Sequence, residues 1–162
     1  MGIEIERKFL VVSDDWKNQV TGNTIRQGYL ATGQDRVVRI RVVNNEAFIT
    51  IKSSKDGLVR NEWEYSIPPD DAKTMLEKLC IQPIIEKVRY RIPHEGMMWD
   101  LDVFSGENDG LLIAEIELES ENQPFAMPAW AGKEVTAIAR YHNNNLAQYP
   151  WRLWTDEEKN PK

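Results

Sequence analysis

The chain has 162 residues, 41% of them hydrophobic, and a formal net charge of −6, values that fit one globular domain. The acidic balance argues against a protein that coats nucleic acid, because such proteins present a basic face to the phosphate backbone. The sequence contains neither a run of about eighteen apolar residues nor a signal-peptide pattern, so we expect a soluble, cytoplasmic protein without a membrane partner, and no pattern sets its oligomeric state.

Short runs rich in β-branched and aromatic residues, separated by turn signals such as Asp56-Gly57 and Asp109-Gly110, predict strands along most of the chain. In chain order, the predicted strands are 3–11, 24–30, 36–43, 47–53, 60–67, 85–92, 98–104 and 111–119. Apolar periodicity predicts helices at 14–20, 69–80 and 137–148. Since no repeat or linker divides the chain, we predict a single domain over 1–162 with a loosely ordered tail at 155–162.

Charged side chains recur at every second position of the predicted strands, which gives each strand one charged face and one apolar face. In the first strand, Glu4, Glu6 and Lys8 alternate with Ile3 and Ile5. The charged positions on the other strands are Arg39, Arg41, Lys52, Glu62, Glu64, Lys87, Arg89, Arg91, Asp100, Asp102, Glu115, Glu117 and Glu119.

Two interpretations of the charged face compete. It is either the solvated face of an ordinary antiparallel sheet or the inner face of a closed barrel. We favour the barrel, because β-strands are normally poor in Asp and Glu, and adjacent like charges repel unless ions or ligands lie between them. The prediction is therefore an α+β protein with a closed eight-stranded antiparallel β-barrel, a charged lumen and helices packed outside. Its lumen must be hydrated, internally paired or filled by a ligand, because burying a charge costs on the order of several kcal/mol.

The motif Glu4-x-Glu6-x-Lys8 resembles the E-x-E-x-K signature of the CYTH superfamily, the triphosphate tunnel metalloenzymes. The remaining motifs follow in the order in which that family's tunnel strands carry them: Arg39-x-Arg41, Lys52, Glu62-x-Glu64, Lys87-x-Arg89, Asp100-x-Asp102 and Glu115-x-Glu117. The resemblance extends from Glu4 to about Leu146. Within the family, segments 26–30, 130–136 and 139–147 resemble the small bacterial members that hydrolyse inorganic triphosphate.

The resemblance implies a tunnel, open at both ends, in which cations bind triphosphate and carboxylates bind Mg²⁺ or Mn²⁺, with two ions expected. The implied triphosphate-binding residues are Lys8, Arg39, Arg41, Lys52, Lys87 and Arg89. The implied metal ligands are Glu4, Glu6, Glu62, Glu64, Asp102, Glu115 and Glu117.

Tyr29 resembles the tyrosine that pairs with the signature lysine of the family. We predict Lys8 and Tyr29 as catalytic residues, because an ammonium group lowers the pKa of a neighbouring phenol. A packed strand aromatic is the alternative for Tyr29. Arg140 also matches a family position, and a role at the tunnel mouth competes with that of a surface helix arginine. His142 has no second histidine at helical spacing, so we assign it no metal.

The leading functional prediction is metal-dependent hydrolysis of inorganic triphosphate to pyrophosphate and phosphate. Class IV adenylate cyclase is the main alternative, although no stretch forms an obvious adenine pocket. The superfamily also contains thiamine triphosphatases and RNA 5′-triphosphatases, and a protein that binds polyphosphate or a nucleotide without hydrolysis is a further alternative. The presence of Glu4, Glu6, Lys8 and Tyr29 together argues against binding alone, which needs only the cations.

Overall fold

The computed structural model describes residues 2–17, 20–33, 35–54 and 59–162 and contains nine β-strands. The strands are Gly2–Val11 (β1), Gly22–Thr32 (β2), Arg36–Val43 (β3), Glu46–Ser53 (β4), Val59–Ile67 (β5), Ile85–His94 (β6), Met97–Ser105 (β7), Leu112–Glu117 (β8) and Ala131–Glu134 (β9). The α-helices are Pro69–Lys78 (α1), Asn143–Leu146 (α2) and Asp156–Lys159 (α3), and short 3-10 helices occupy Gly106–Asn108, Ala139–Tyr141 and Trp151–Leu153. None of the helices in the described ranges is long and apolar enough to span a bilayer.

Eight of the strands close into an antiparallel barrel. The sheet order is β5-β4-β3-β2-β6-β7-β8-β1-β9, and an additional pairing joins β1 to β5. In that pairing Gly2 lies opposite Glu62 and Ile5 lies opposite Val59, which removes both open edges of the eight strands. The predicted closed eight-stranded antiparallel barrel is confirmed.

The predicted strands match β1 to β8 to within two residues at each end. The turn predicted at Asp56-Gly57 lies outside the described residues. β9 was not predicted, because it has only four residues and no apolar alternation. It pairs with β1, where Phe9 lies opposite Glu134 and Val11 opposite Ala131. β9 packs so closely on β1 that a Cβ added to Gly132 would lie 2.4 Å from a methyl carbon of Val12.

The helix predictions were less accurate than the strand predictions. α1 is confirmed; it begins with Pro69 in its first turn and buries Ala72 and Leu76. The helix predicted at 14–20 is wrong for residues 14–17, which form a turn closed by a hydrogen bond from the Lys17 N–H to the Asp14 carbonyl.

The helix predicted at 137–148 is also wrong. A 3-10 turn at Ala139–Tyr141 and the four-residue α2 replace it, separated by His142 in an extended conformation. The Asn145 side chain donates a hydrogen bond to the Ala139 carbonyl at 2.7 Å, and such side-chain bonds compete with a continuous helix.

The tail differs from the loosely ordered segment that we expected. Thr155 and Glu158 form a capping box at the start of α3, in which each side chain bonds to the backbone N–H of the other residue. The Glu158 carboxylate also accepts a hydrogen bond of 2.6 Å from the Tyr149 hydroxyl. These contacts fasten the first part of the tail to the rest of the protein.

The apolar core lies outside the barrel wall and at one of its ends. α1 covers the outer face of β3, where Ala72 and Leu76 pack with Ile40 and Val42. A second cluster surrounds the fully buried Trp99. Because the inner face carries charge, these outer layers supply the apolar burial that stabilises the fold.

Residues 135–154, which we call the end segment, pack across one end of the barrel. Tyr141 and Leu146 of this segment are fully buried against Ile85, Phe104 and Ile113. These three partners lie at the ends of β6, β7 and β8 that meet on the same side of the molecule. The expected tunnel with two open ends is therefore corrected, since the end segment covers one end along these strands.

A candidate active site in the barrel lumen

The barrel encloses a cavity of about 280 Å³ that is lined almost entirely by charged and polar side chains. Its charged residues are Glu4, Glu6, Lys8, Arg39, Arg41, Lys52, Arg60, Glu62, Glu64, Lys87, Arg89, Asp100, Glu115 and Glu117. Tyr29, Val37, His142, Asn143 and Asn144 complete the lining. Asp102 is the one predicted site residue that is not part of this cavity lining.

Lys8 and Lys52, two of the lysines that line the lumen, form ion pairs with lumen carboxylates. Lys8 Nζ lies 2.5 Å from Glu115 Oε1 and 3.1 Å from Glu6 Oε1. Lys52 Nζ lies 2.7 Å from Glu4 Oε2. Burial raises the pKa of each of these three carboxyls, but attraction to nearby cations outweighs it, and their pKa values lie below the usual range.

Four cations, which we call the cation group, lie together on the wall formed by β3 and β6: Arg39, Arg41, Lys87 and Arg89. Burial, together with repulsion from Arg39 and Arg89, lowers the pKa of Arg41 to about 9. Burial also lowers the pKa of Lys87 to about 7, although Asp102 attracts its charge. Positive charge is therefore crowded and incompletely neutralised here, which favours an anionic ligand.

Four carboxylates, which we call the carboxylate group, face one another at another part of the lumen: Glu4, Glu6, Asp100 and Glu117. Glu6 and Glu117 are cross-strand partners on β1 and β8. Burial raises the pKa of Glu117, and repulsion from the other three members raises it further. Like charges held this close favour a cationic ligand.

The oxygen donors of the carboxylate group match the preference of Mg²⁺ and Mn²⁺ for hard ligands. In the described part of the chain, no three His, Cys, Asp or Glu side chains converge at the distances of a formed metal site. Lys8 and Lys52 instead bond Glu6 and Glu4. The donor chemistry thus fits a divalent ion, whose binding would require the side chains to move closer together.

Asp102, which was predicted as a metal ligand, is not part of the cavity lining. It is fully buried, and its two oxygens accept hydrogen bonds from Lys87 Nζ at 2.7 Å and from Arg89 Nε and Nη2 at 2.7 and 2.9 Å. Asp102 is the cross-strand partner of Arg89, so the register of β6 and β7 forces this contact. Two cations of the cavity lining, Lys87 and Arg89, thus bind the buried Asp102 carboxylate, and Asp100 on the same strand lines the cavity.

A model of the CYTH domain matches residues 2–148 of the chain. The chain belongs to the CYTH family. The inorganic triphosphatase of Acetivibrio thermocellus is 47% identical over 152 residues, which cover 94% of this chain and 97% of that protein. The inorganic triphosphatase of Nitrosomonas europaea is 40% identical over 149 residues, or 89% and 96% of the two chains. A crystal structure of an inorganic triphosphatase aligns with a TM-score of 0.67 at 36% identity, covering 96% of this chain and 97% of its own.

Tyr29 of this CYTH chain lies in the lumen, but its surroundings differ from those predicted. The ring is buried, and the phenol oxygen accepts a hydrogen bond from Gln27 Nε2 at 3.2 Å. Burial raises the pKa of Tyr29 more than Arg39, Arg41 and Lys8 lower it. The predicted lowering is therefore wrong for this structure, and the phenol is protonated at neutral pH.

Two further residues on the charged face of the CYTH barrel, Arg60 and Thr50, were not among the predicted site residues. Arg60 lies two positions before Glu62 on β5, so strict alternation would have found it. Thr50 accepts a hydrogen bond from Arg39 Nη2 at 3.2 Å and donates one to Glu64 at 2.8 Å. It connects these residues because all three are cross-strand neighbours on β3, β4 and β5.

Arg140 has a structural role in the CYTH chain. Its Nη2 donates a hydrogen bond to the Glu158 carbonyl at 2.9 Å, and its guanidinium lies 5.3 Å from the ring centroids of both Tyr141 and Trp154. It is absent from the cavity lining. Arg140 therefore links the end segment to α3 and does not face the tunnel mouth.

Proposed function

We propose that this CYTH protein hydrolyses inorganic triphosphate to pyrophosphate and phosphate in the barrel lumen, with the help of a divalent metal ion. The observation that carries this proposal is the presence of a cation group and a carboxylate group in one cavity of about 280 Å³. A triphosphate can contact the cations while metal ions join its oxygens to the carboxylates. The substrates named for the two similar proteins support the choice of inorganic triphosphate.

The cation group supplies the contacts to phosphate in this proposal. Arginine presents a planar set of donors that binds two phosphate oxygens at once, so Arg39, Arg41 and Arg89 suit the triphosphate chain. Lys8 and Lys52 each bond a member of the carboxylate group and can exchange that partner for a phosphate oxygen. Cations held in place before the reaction stabilise developing charge without having to reorganise.

In this proposal the main metal ligands are Glu4, Glu6 and Glu117 of the carboxylate group, together with Glu115, which is the cross-strand partner of Asp100. Two ions of Mg²⁺ or Mn²⁺ would neutralise phosphate oxygens and acidify a bound water. Glu62 and Glu64 remain predicted ligands on β5, the strand that pairs with β1; Glu64 lies 3.6 Å from Arg39 Nη2. Tyr29 and Lys8 remain the predicted catalytic residues, and a protonated Tyr29 would donate a hydrogen bond to the substrate.

Phosphate release with inorganic triphosphate and with ATP at equal concentration tests this proposal. Triphosphate should react clearly faster, because Val37, Tyr29 and the His142 imidazole are the only apolar or aromatic side chains in the described lining and offer little to a nucleoside. Activity should require Mg²⁺ or Mn²⁺ and disappear in excess EDTA. Conversion of ATP to cyclic AMP and pyrophosphate would favour the cyclase alternative, and binding of triphosphate without turnover would leave a binding protein.

A further inference from the structure

A chain of hydrogen bonds links the end segment to the cation group. Arg41 Nε donates to Gln27 Oε1 at 2.8 Å, and Gln27 Nε2 donates to Asn143 Oδ1 at 2.9 Å. Lys87 Nζ donates to the same Asn143 oxygen at 2.9 Å. The Asn143 amide therefore connects two cations on opposite neighbours of β2, since Arg41 lies on β3 and Lys87 on β6.

The orientation of these amides follows from their partners. Both groups that contact Asn143 Oδ1 are donors, so the acceptor oxygen must face the lumen. Gln27 is fully buried, and its oxygen and nitrogen are both engaged. Loss of Asn143 would remove one acceptor from this buried amide, which normally costs more than an exposed hydrogen bond.

Lys87 illustrates what Asn143 adds to the site. The ammonium has three N–H donors, of which one bonds Asp102 and one bonds Asn143. Lys87 also lines the cavity, so the third donor is the one that can meet a ligand oxygen. Two anchors from different directions fix where that third donor points, whereas Asp102 alone would leave the ammonium free to rotate.

We propose that Asn143 is a positioning residue which, through Gln27 and Lys87, holds Arg41 and Lys87 in the arrangement that binds triphosphate. This inference rests on the proposed triphosphatase function. A positioning role for Asn143 makes the end segment part of the substrate site, although no arginine of that segment lines the cavity.

A comparison within the same segment distinguishes this role from helix capping. The hydrogen bonds of the Asn143 side chain go to Gln27 and Lys87, whereas the Asn145 side chain bonds the Ala139 carbonyl of its own segment. α2 has His142 at its N-cap, without a side-chain cap hydrogen bond. Asn143 therefore bonds to the lumen, and Asn145 stabilises the local fold.

Steady-state hydrolysis of triphosphate by Asn143→Ala tests the proposal, with Gln148→Ala as the matched control. Gln148 also joins the end segment to β2 through one amide hydrogen bond, to Thr32 at 2.8 Å, but it is exposed and outside the lumen. Asn143→Ala should lower kcat/KM about ten- to a hundredfold, as expected for a lost hydrogen bond to a charged group. Gln148→Ala should stay within about twofold of wild type.

A double-mutant cycle with Lys87→Met separates positioning from general loosening of the segment. If Asn143 acts through Lys87, the Asn143→Ala change should cost at least about threefold less in the Lys87→Met background than in the wild type. Equal costs in both backgrounds, or equal activity of Asn143→Ala and Gln148→Ala, would overturn the proposal. An inactive wild type would instead defeat the triphosphatase function itself.

Asn143→Asp keeps the proposal testable if the alanine variant fails to fold. The carboxylate keeps an acceptor oxygen at the same position, so thermal unfolding should stay near that of wild type. Its negative charge would compete with triphosphate for Lys87, so KM should rise about tenfold while the fold is retained. An unchanged KM in the folded variant would mean that the Asn143 side chain does not act on the cation group.

Discussion

Arg39 and Glu117 line the same cavity, but their neighbours give them opposite roles. Arg39 is buried, with Nη2 3.2 Å from Thr50 and 3.6 Å from Glu64, and other members of the cation group surround it. Glu117 faces three further carboxylates, and its pKa is raised by burial and by their repulsion. Arg39 is therefore suited to phosphate and Glu117 to a cation.

Arg39→Ala and Glu117→Ala should consequently differ in their response to metal. Arg39→Ala removes a charge-assisted contact worth roughly 1.5 to 3 kcal/mol, so kcat/KM should fall about ten- to a hundredfold and added metal should not restore it. The loss of kcat/KM in Glu117→Ala should become smaller as the concentration of Mg²⁺ or Mn²⁺ increases.

Arg36→Ala, which changes an exposed arginine at the start of the same strand as Arg39, is the control and should retain activity. Identical metal dependence in the Arg39 and Glu117 variants would contradict the assignment.

The sequence predicted individual charges better than it predicted their partners. Strand alternation places Arg39 and Glu117 on the inner face, and both line the cavity. The pattern could not show that both oxygens of Asp102 bond to Lys87 and Arg89, because that depends on strand register. Gln27 and Asn143 escaped notice because neutral amides carry no periodic signal of charge.

Among the structural elements, α1 shows how the outer apolar layer supports the charged barrel. Leu76 is 1% exposed and packs with Ile40 and Val42, while Leu79 is 65% exposed near the end of the helix. The helix and the residues after it approach β2 closely, since a Cβ on Gly28 would lie 3.1 Å from Leu76 Cδ2 and 2.8 Å from the Cβ of Cys80. The outer face of the barrel therefore depends on tight packing against this helix.

Leu76→Ala should destabilise the protein by roughly 2 to 5 kcal/mol, because the buried site loses apolar contacts and keeps a cavity. Leu79→Ala makes the same chemical change directly after the last residue of the helix, but at an exposed position, and should stay within about 0.5 kcal/mol of wild type. Urea unfolding of both variants measures the difference. If the two variants had equal free energies of unfolding, the buried packing of Leu76 would not contribute to stability as inferred.

Elements with a strong periodic signal were predictable, and elements defined by tertiary contacts were not. α1 has regularly spaced apolar residues and a proline in its first turn, both visible in the sequence. β9 has no such pattern and forms because β1 offers pairing partners at Phe9 and Val11. The end segment looked helical, but side-chain hydrogen bonds and the burial of Tyr141 divide it into short turns.

At the scale of the whole molecule, the barrel uses its interior for charge, and its apolar burial lies elsewhere. The sequence indicated this arrangement because a charged face on successive strands is unusual for a solvated sheet. The sequence could not indicate that the end segment covers one end of the barrel, since that depends on packing among residues far apart in sequence.

An incompletely neutralised cation group should make the stability of the fold depend on a bound anion, because a ligand that binds only the folded state stabilises it.

Triphosphate should therefore raise the Tm of the protein even in EDTA, where turnover is not expected. At about one hundred times its Kd, a ligand adds roughly 2.7 kcal/mol to folding stability. The Tm increase should be larger than with orthophosphate, because three linked phosphates reach more of the cation group, and it should shrink as salt screens the charges. Unchanged Tm values with saturating triphosphate would contradict an anion-binding lumen.

The pH dependence of this stabilisation should identify the contribution of Lys87. Because burial lowers the pKa of Lys87 to about 7 in the free protein, the lysine loses its charge as pH rises through that value. A bound polyanion favours the charged form of Lys87 and raises its pKa again, so binding takes up a proton and becomes weaker above pH 7.

Triphosphate itself gains negative charge over the same pH range, which acts in the opposite direction, so wild type must be compared with Lys87→Met. The wild type should lose more triphosphate affinity than the variant between about pH 6 and pH 8, and titration calorimetry in EDTA measures both. Parallel pH profiles would show that Lys87 keeps one charge state across this range, and that the stabilising contact to triphosphate comes from the arginines of the cation group.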